Sequence, residues 1–109
     1  MNENLIYAYC LINHHPKLPK VAETLNLKLL NYGHLHAVVK YVSEKGFSEE
    51  NFKKNLSDLD WLNTNAREHV DVIYQIMENN TVIPFKFGTI FQIETSLEKF
   101  ISDYYASLD

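Results

Sequence analysis

The chain has 109 residues and a formal net charge of −4; 46% of its residues are apolar, 13% are aromatic, and it holds only three Gly and three Pro. That is enough apolar material for one core and too little sequence for two, so a single domain over residues 1–109 is expected and intrinsic disorder is excluded. The acidic balance argues against nucleic acid, whose phosphates demand clustered Lys and Arg, while the lone Cys10 excludes an intrachain disulfide and favours a reducing compartment.

Leu5 to Ile12 is continuously apolar and β-rich, the pattern of a strand covered on both faces and central in a sheet. It does not read as a signal peptide. Asn2, Glu3 and Asn4 precede it without a positive charge, and Asn13, His14, His15 and Pro16 follow it without a small-residue cleavage site. No stretch reaches the ~18 apolar residues that a membrane span needs, so no membrane insertion is expected and the chain reads as a cytoplasmic domain. Asn13 to Asn26, with Pro16 and Pro19, is expected to be a loop holding a short helical turn around Val21 to Leu25.

Lys28 to Tyr32, Gly33-His34 and Leu35 to Val42 read as a β-hairpin, with Gly33 supplying the positive φ of the turn. In the second arm Leu35, Ala37, Val39 and Tyr41 share one face, and His34, His36, Val38, Lys40 and Val42 share a wetter one. Gly46 breaks the strand pattern. Ser48, followed by Glu49 and Glu50, predicts a short helix from Ser48 to about Leu56.

Ser57 with Asp60 looks like the next cap. It opens a long helix whose Leu59, Leu62, Ala66, Val70, Ile73 and Met77 recur at steps of three and four and predict its buried stripe. Trp61, Asn65, His69, Val72 and Ile76 form a second stripe beside the first. Either the helix is sandwiched between the sheet and another element, or Trp61, His69, Val72 and Ile76 are a partner-binding surface. Thr81 to Phe87 is β-rich, but Pro84 confines it to an edge, a bulge or a strand end; Gly88 then turns the chain and Thr89 restarts the strand. Thr95 with Glu98 predicts the cap of a last helix, with Leu97, Phe100, Ile101, Tyr104 and Leu108 on one stripe. The order of elements predicts an α+β fold: a small mixed sheet with a β-hairpin, and helices packed mainly on one face.

Several residue types suggest chemistry without the context that chemistry requires. His34 and His36, with His14 or His15, have a spacing that permits a metal ion, but no carboxylate or thiol stands at ligand spacing beside them, so no metal is assigned. His69 lies mid-helix without a metalloprotease, nucleophile-elbow or P-loop pattern, and a histidine bonded at a helix–sheet seam is the simpler reading. Phe85 to Phe91 superficially resembles an RNA-stacking platform, but its residue order departs from that signature. No catalytic residue and no cofactor are assigned.

Trp61-Leu62, then His69 on the same helix, then Val82-Ile83-Pro84-Phe85-Lys86-Phe87-Gly88-Thr89 resembles the gas vesicle protein F/L family (GvpF/GvpL). The opening strand with Tyr7 and the hairpin through Val42 are similar to that family as well. Lys86 stands where the family usually has Arg, which weakens any bidentate contact made there. The resemblance covers essentially the whole chain and corresponds to the family's N-terminal half, members usually continuing into a second, ferredoxin-like domain. It implies a non-enzymatic accessory or minor structural protein of gas vesicle assembly, located at the gas vesicle. Its implied partners are the hydrophobic shell protein and other accessory proteins. The alternative is a small sensory or ligand-binding α+β domain in a cell without gas vesicles.

Overall fold

The apolar run near the start becomes the central strand β1, Glu3–Asn13, of the computed structural model, which describes residues 3–13, 17–33 and 35–105. After it come a single helical turn α1 (Val21–Thr24) and the hairpin β2 (Lys28–Tyr32) and β3 (Leu35–Ser43). Three helices follow, α2 (Glu44–Phe47), α3 (Glu49–Asn55) and α4 (Leu59–Met77), then the short strands β4 (Val82–Pro84) and β5 (Ile90–Phe91), and α5 (Glu94–Tyr105). Among the described residues the strands form one five-stranded sheet in the order β2-β3-β1-β4, with β5 also on β1.

The α+β class is as expected, but every strand pairing is antiparallel rather than mixed. The reason lies in the connection. β3 and β4 point the same way, yet β1 lies between them, so the crossover through α4 skips a strand and no parallel pair forms. β3 occupies one edge of β1 along its length; β4 and β5 share the other, interrupted by residues 85–89.

β1 is buried on both faces. Leu5, Tyr7 and Tyr9 face α4, while Ile6, Ala8 and Leu11 face α5. A register shift between Ala8 and Cys10 resets the alternation, so Tyr9 and Cys10 both enter the core beneath α4, as a bulge allows. That core takes Val72, Ile73 and Ile76 from α4, Ala22 from α1, and Val38 and Val42 from β3. Helices lie mainly on this face, but α5 covers the second, inserting Leu97 and Ile101 against Ala37 and Val39. Each fully buried aliphatic side chain contributes ~1.5–3 kcal/mol to folding.

Several local expectations hold. Gly33 turns the hairpin at φ 67°, α1 falls where the helical turn was expected, and Ser48 Oγ accepts from Asn51 N at 3.2 Å to cap α3. Two others are corrected. Asp58, not Ser57, caps α4, accepting from the Asp60 and Trp61 amides, while the Ser57 hydroxyl donates to the Lys54 carbonyl at 2.7 Å. An anionic cap also complements the helix dipole better than a hydroxyl. α5 begins at Glu94, which places Thr95 inside the helix. α2 was not foreseen; Ser43 Oγ caps it by accepting from Lys45 N.

The main correction concerns α4. Its expected buried stripe is largely exposed: Leu59 is 71%, Val70 47% and Met77 49% accessible, with only Ile73 buried and Leu62 and Ala66 between. His69, Val72 and Ile76 are buried instead, a rotation of about a quarter turn. The stripe weighed as a partner surface is therefore the stripe that faces the sheet, and Trp61, at its end, is half-buried.

Candidate functional site

The rotation of α4 brings its one buried polar residue, His69, over β1 and beside residues 85–88. His69 Nε2 lies 2.8 Å from the Phe85 carbonyl oxygen, which can only accept, so Nε2 carries the proton. His69 Nδ1, left with a free lone pair, accepts from the Tyr7 hydroxyl at 2.8 Å. The Tyr7 oxygen in turn accepts from the Gly88 amide at 3.4 Å. Strand, helix and loop are thereby tied by one imidazole and one phenol.

A second pair lies alongside. The Tyr9 hydroxyl donates to Glu68 Oε1 at 2.8 Å, and Lys40 Nζ donates to the same oxygen at 3.1 Å. The face of β3 expected to be wetter packs instead beneath α4, where Val38 and Val42 are buried, and the half-exposed Lys40 on it has its counter-ion on α4. The rings of Tyr9 and His69 stack at 5.6 Å, and Tyr7 meets His69 edge to face at the same distance.

Of the residues of the family resemblance, His69, Phe87 and Gly88 meet at this node, and Trp61 joins it through Phe52. Phe87 lies 5.8 Å from His69 and 5.6 Å from Phe52, and Trp61 lies 5.6 Å from both Phe52 and Phe47, ring centre to ring centre. Pro84 is the last residue of β4, opposite Cys10. Beyond it the Phe85 amide donates to the Tyr9 carbonyl at 2.9 Å, and Phe85 itself is buried toward α5. Lys86 is exposed, and its carbonyl accepts both the amide and the hydroxyl of Thr89. Gly88 has φ 88°, and a Cβ there would stand 2.8 Å from the Phe52 ring. Leu62 is half-buried on α4 and joins none of these ring contacts.

Burial sets the protonation of the node. It holds the His69 pKa below its ordinary value, against the opposing hydrogen bond that the imidazole donates to the Phe85 carbonyl. Burial first, and the negative Glu68 with it, pushes the Tyr7 and Tyr9 phenols well above their usual range. The Cys10 thiol is pushed up to about 12 by burial. Such a thiol is not nucleophilic.

The space beside the node, bounded by Tyr7, Tyr9, Phe47, Asn65 and Phe87, is ≈ 10 Å³, no more than one water needs. No buried side-chain polar atom among the described residues lacks a partner. The arrangement is a fully bonded latch. A larger groove of ≈ 480 Å³ runs between α1 and α4, lined by Val21, Leu25, Arg67, Asp71 and Gln75 among others.

His14, His15 and His34 lie outside the described residues. His36 Nδ1 is bonded to Asn31 Oδ1 on the adjacent strand, and no group of three or more His, Cys, Asp or Glu among the described residues is placed to hold a metal ion. No helix among them is long and apolar enough to cross a membrane. Sequence reasoning missed Tyr7, Tyr9, Glu68, Lys40, Phe47 and Phe52 as members of the cluster. The available signal was two tyrosines inside an otherwise apolar central strand, because a buried phenol requires a hydrogen-bond partner.

The sequence model of the family described as gas vesicle synthesis protein GvpL/GvpF matches residues 5–109. The chain is also similar to gas vesicle protein L of Streptomyces sp. (strain CB03234), at 30% identity over 76 residues. That match covers 70% of this chain and 29% of the relative. No solved structure matches.

Proposed function

The chain belongs to the GvpL/GvpF family of gas vesicle synthesis proteins; on that premise we propose that it takes part in gas vesicle formation without catalysis, as an accessory or minor structural protein that contacts the hydrophobic shell protein or other accessory proteins. We read residues 1–109 as one domain, equivalent to the N-terminal domain of the family. The observation that carries the non-catalytic reading is the bonding of His69: both ring nitrogens are engaged within the chain, and the space beside them is too small for a substrate. Trp61, His69, Phe87 and Gly88 then serve to fix the loop to the helix rather than to do chemistry.

The reading is tested by co-expressing the tagged chain with the hydrophobic shell protein and measuring how much shell protein stays soluble and is retained with the tag. Retention well above that of an unrelated tagged domain is expected; equal amounts would defeat the proposal. A sensory or ligand-binding role is the second reading, favoured by the groove between α1 and α4. A genome with no shell-protein gene would shift the balance to it.

A further inference from the structure

We infer that the outer face of α4 is a docking surface for an amphipathic helix of a partner protein, one whose apolar stripe is bordered by Lys or Arg. The inference rests on the reading of this chain as an interaction protein and names the surface and the chemistry of what it binds. Leu59, Val70 and Met77 fall within about 20° of one another around the helix axis, and Tyr74 about 60° from Leu59. All four are large apolar side chains open to solvent, Tyr74 at 64%. They make a ridge about 27 Å long, of the kind that packs into the groove of a second helix.

The charges along that ridge choose the occupant. Asp60, Asp71 and Glu78 are exposed and lie on one side of it, and none is ion-paired among the described residues. α4 contains no Lys and one Arg, Arg67, and its last turn holds no basic residue although Glu78 stands at its C-cap. An acid at a helix C-terminus opposes the dipole, so helix stability does not account for Glu78. Asp71 also lines the groove between α1 and α4, which gives a long basic side chain room to lie down.

Other occupants fit less well. Two copies of α4 in antiparallel contact would set Glu78 against Asp58 and Asp60, and the chain carries a net charge of −4. An anionic lipid surface would be repelled by the same acids. Strand addition needs an open sheet edge, which a helix face does not offer.

The test titrates the full 109-residue chain with two synthetic helix-forming peptides of about 18 residues, alike in their leucine stripe and bordered by Lys in one and Glu in the other. The Lys peptide is expected to bind at least about tenfold more tightly, with amide shift changes centred on residues 59–78. Tyr74→Lys, at an exposed position, should keep the parent melting temperature and weaken the Lys peptide about tenfold or more. Asp71→Lys with Glu78→Lys should reverse the preference. Equal affinity for the two peptides, shift changes elsewhere, or unaltered binding by Tyr74→Lys overturns the inference. Self-association of the parent that Tyr74→Lys abolishes overturns it as well and assigns the face to a second copy. Shell-protein capture separates this surface from the assembly role. If Tyr74→Lys retains shell protein as well as the parent, the role stands and the surface is wrong; if neither retains it while the Lys peptide binds α4, the surface stands and the role falls.

Discussion

The Tyr7 hydroxyl donates to His69 Nδ1 across 62 positions of sequence, at 2.8 Å. This bond is made at the same rotation of α4 over β1 that buries Val72 and Ile76, and with the other ring nitrogen of His69 bonded to the Phe85 carbonyl both imidazole nitrogens are engaged. Residues that look unrelated in sequence are the ends of one hydrogen-bonded chain running from Phe85 through His69 and Tyr7 to Gly88.

Stability should fall in mild acid. The His69 pKa in the folded chain is lowered by burial, so the unfolded chain binds the proton more readily and stability rises with pH. The contribution is fully present above the unfolded value of about 6.5 and is lost as pH falls from there toward the folded pKa. Melting temperatures measured between about pH 7.5 and 5 should drop for the parent, and His69→Gln should show a shallower drop from a lower start. Parallel curves would remove His69 as the source.

Tyr7→Phe deletes one oxygen and leaves both His69 Nδ1 and the Gly88 amide short of a partner. Urea unfolding should show a loss of about 1–3 kcal/mol, the cost of buried polar groups left unmade. A loss below about 0.5 kcal/mol would mean that water replaces the phenol and that the latch is not held by it.

Two glycines with positive φ should respond unequally to alanine. A Cβ placed on Gly33 would meet nothing within 4 Å, so Gly33→Ala carries backbone strain alone, about 1 kcal/mol. At Gly88 the added methyl also meets the Phe52 ring at 2.8 Å, so Gly88→Ala should cost more. Chemical denaturation that ranked them the other way would contradict the packing of Phe52 on the turn.

Trp61→Ala should destabilise the chain by about 2 kcal/mol, because the indole packs between Phe47 and Phe52 rather than standing free as an anchor. Tyr74→Lys, on the exposed face, should change stability by no more than about 0.5 kcal/mol. Thermal melts of the two variants side by side check this; equal losses would mean that the outer face of α4 is not open.

What could be read from the sequence was local or periodic. The continuous run from Leu5 to Ile12 announces a central strand, Gly33 announces the hairpin, and Ser48 announces α3, because each signal lies within the element that it specifies. The rotation of α4 was not legible. Aliphatic residues alone favour the stripe through Leu59, Val70 and Met77, while the buried stripe carries a histidine that only two distant segments, β1 and the loop at Phe85, make fit for burial. The cap of α4 was ambiguous for a simpler reason: Ser57 and Asp58 are adjacent and both competent, and only the geometry after α3 chooses between them. Of the candidate site, the Trp61, His69 and Phe87 members were legible by resemblance, whereas Phe47 and Phe52 sit on short helices that carry no motif.

The most direct measurement deletes this gene from a cell that makes gas vesicles and follows pressure-sensitive turbidity, the optical signature of vesicles that collapse. A chain needed for vesicle formation should take that signal with it on deletion and bring it back when the parent chain is restored. Undiminished pressure-sensitive turbidity in the deleted cells would contradict a role in forming them.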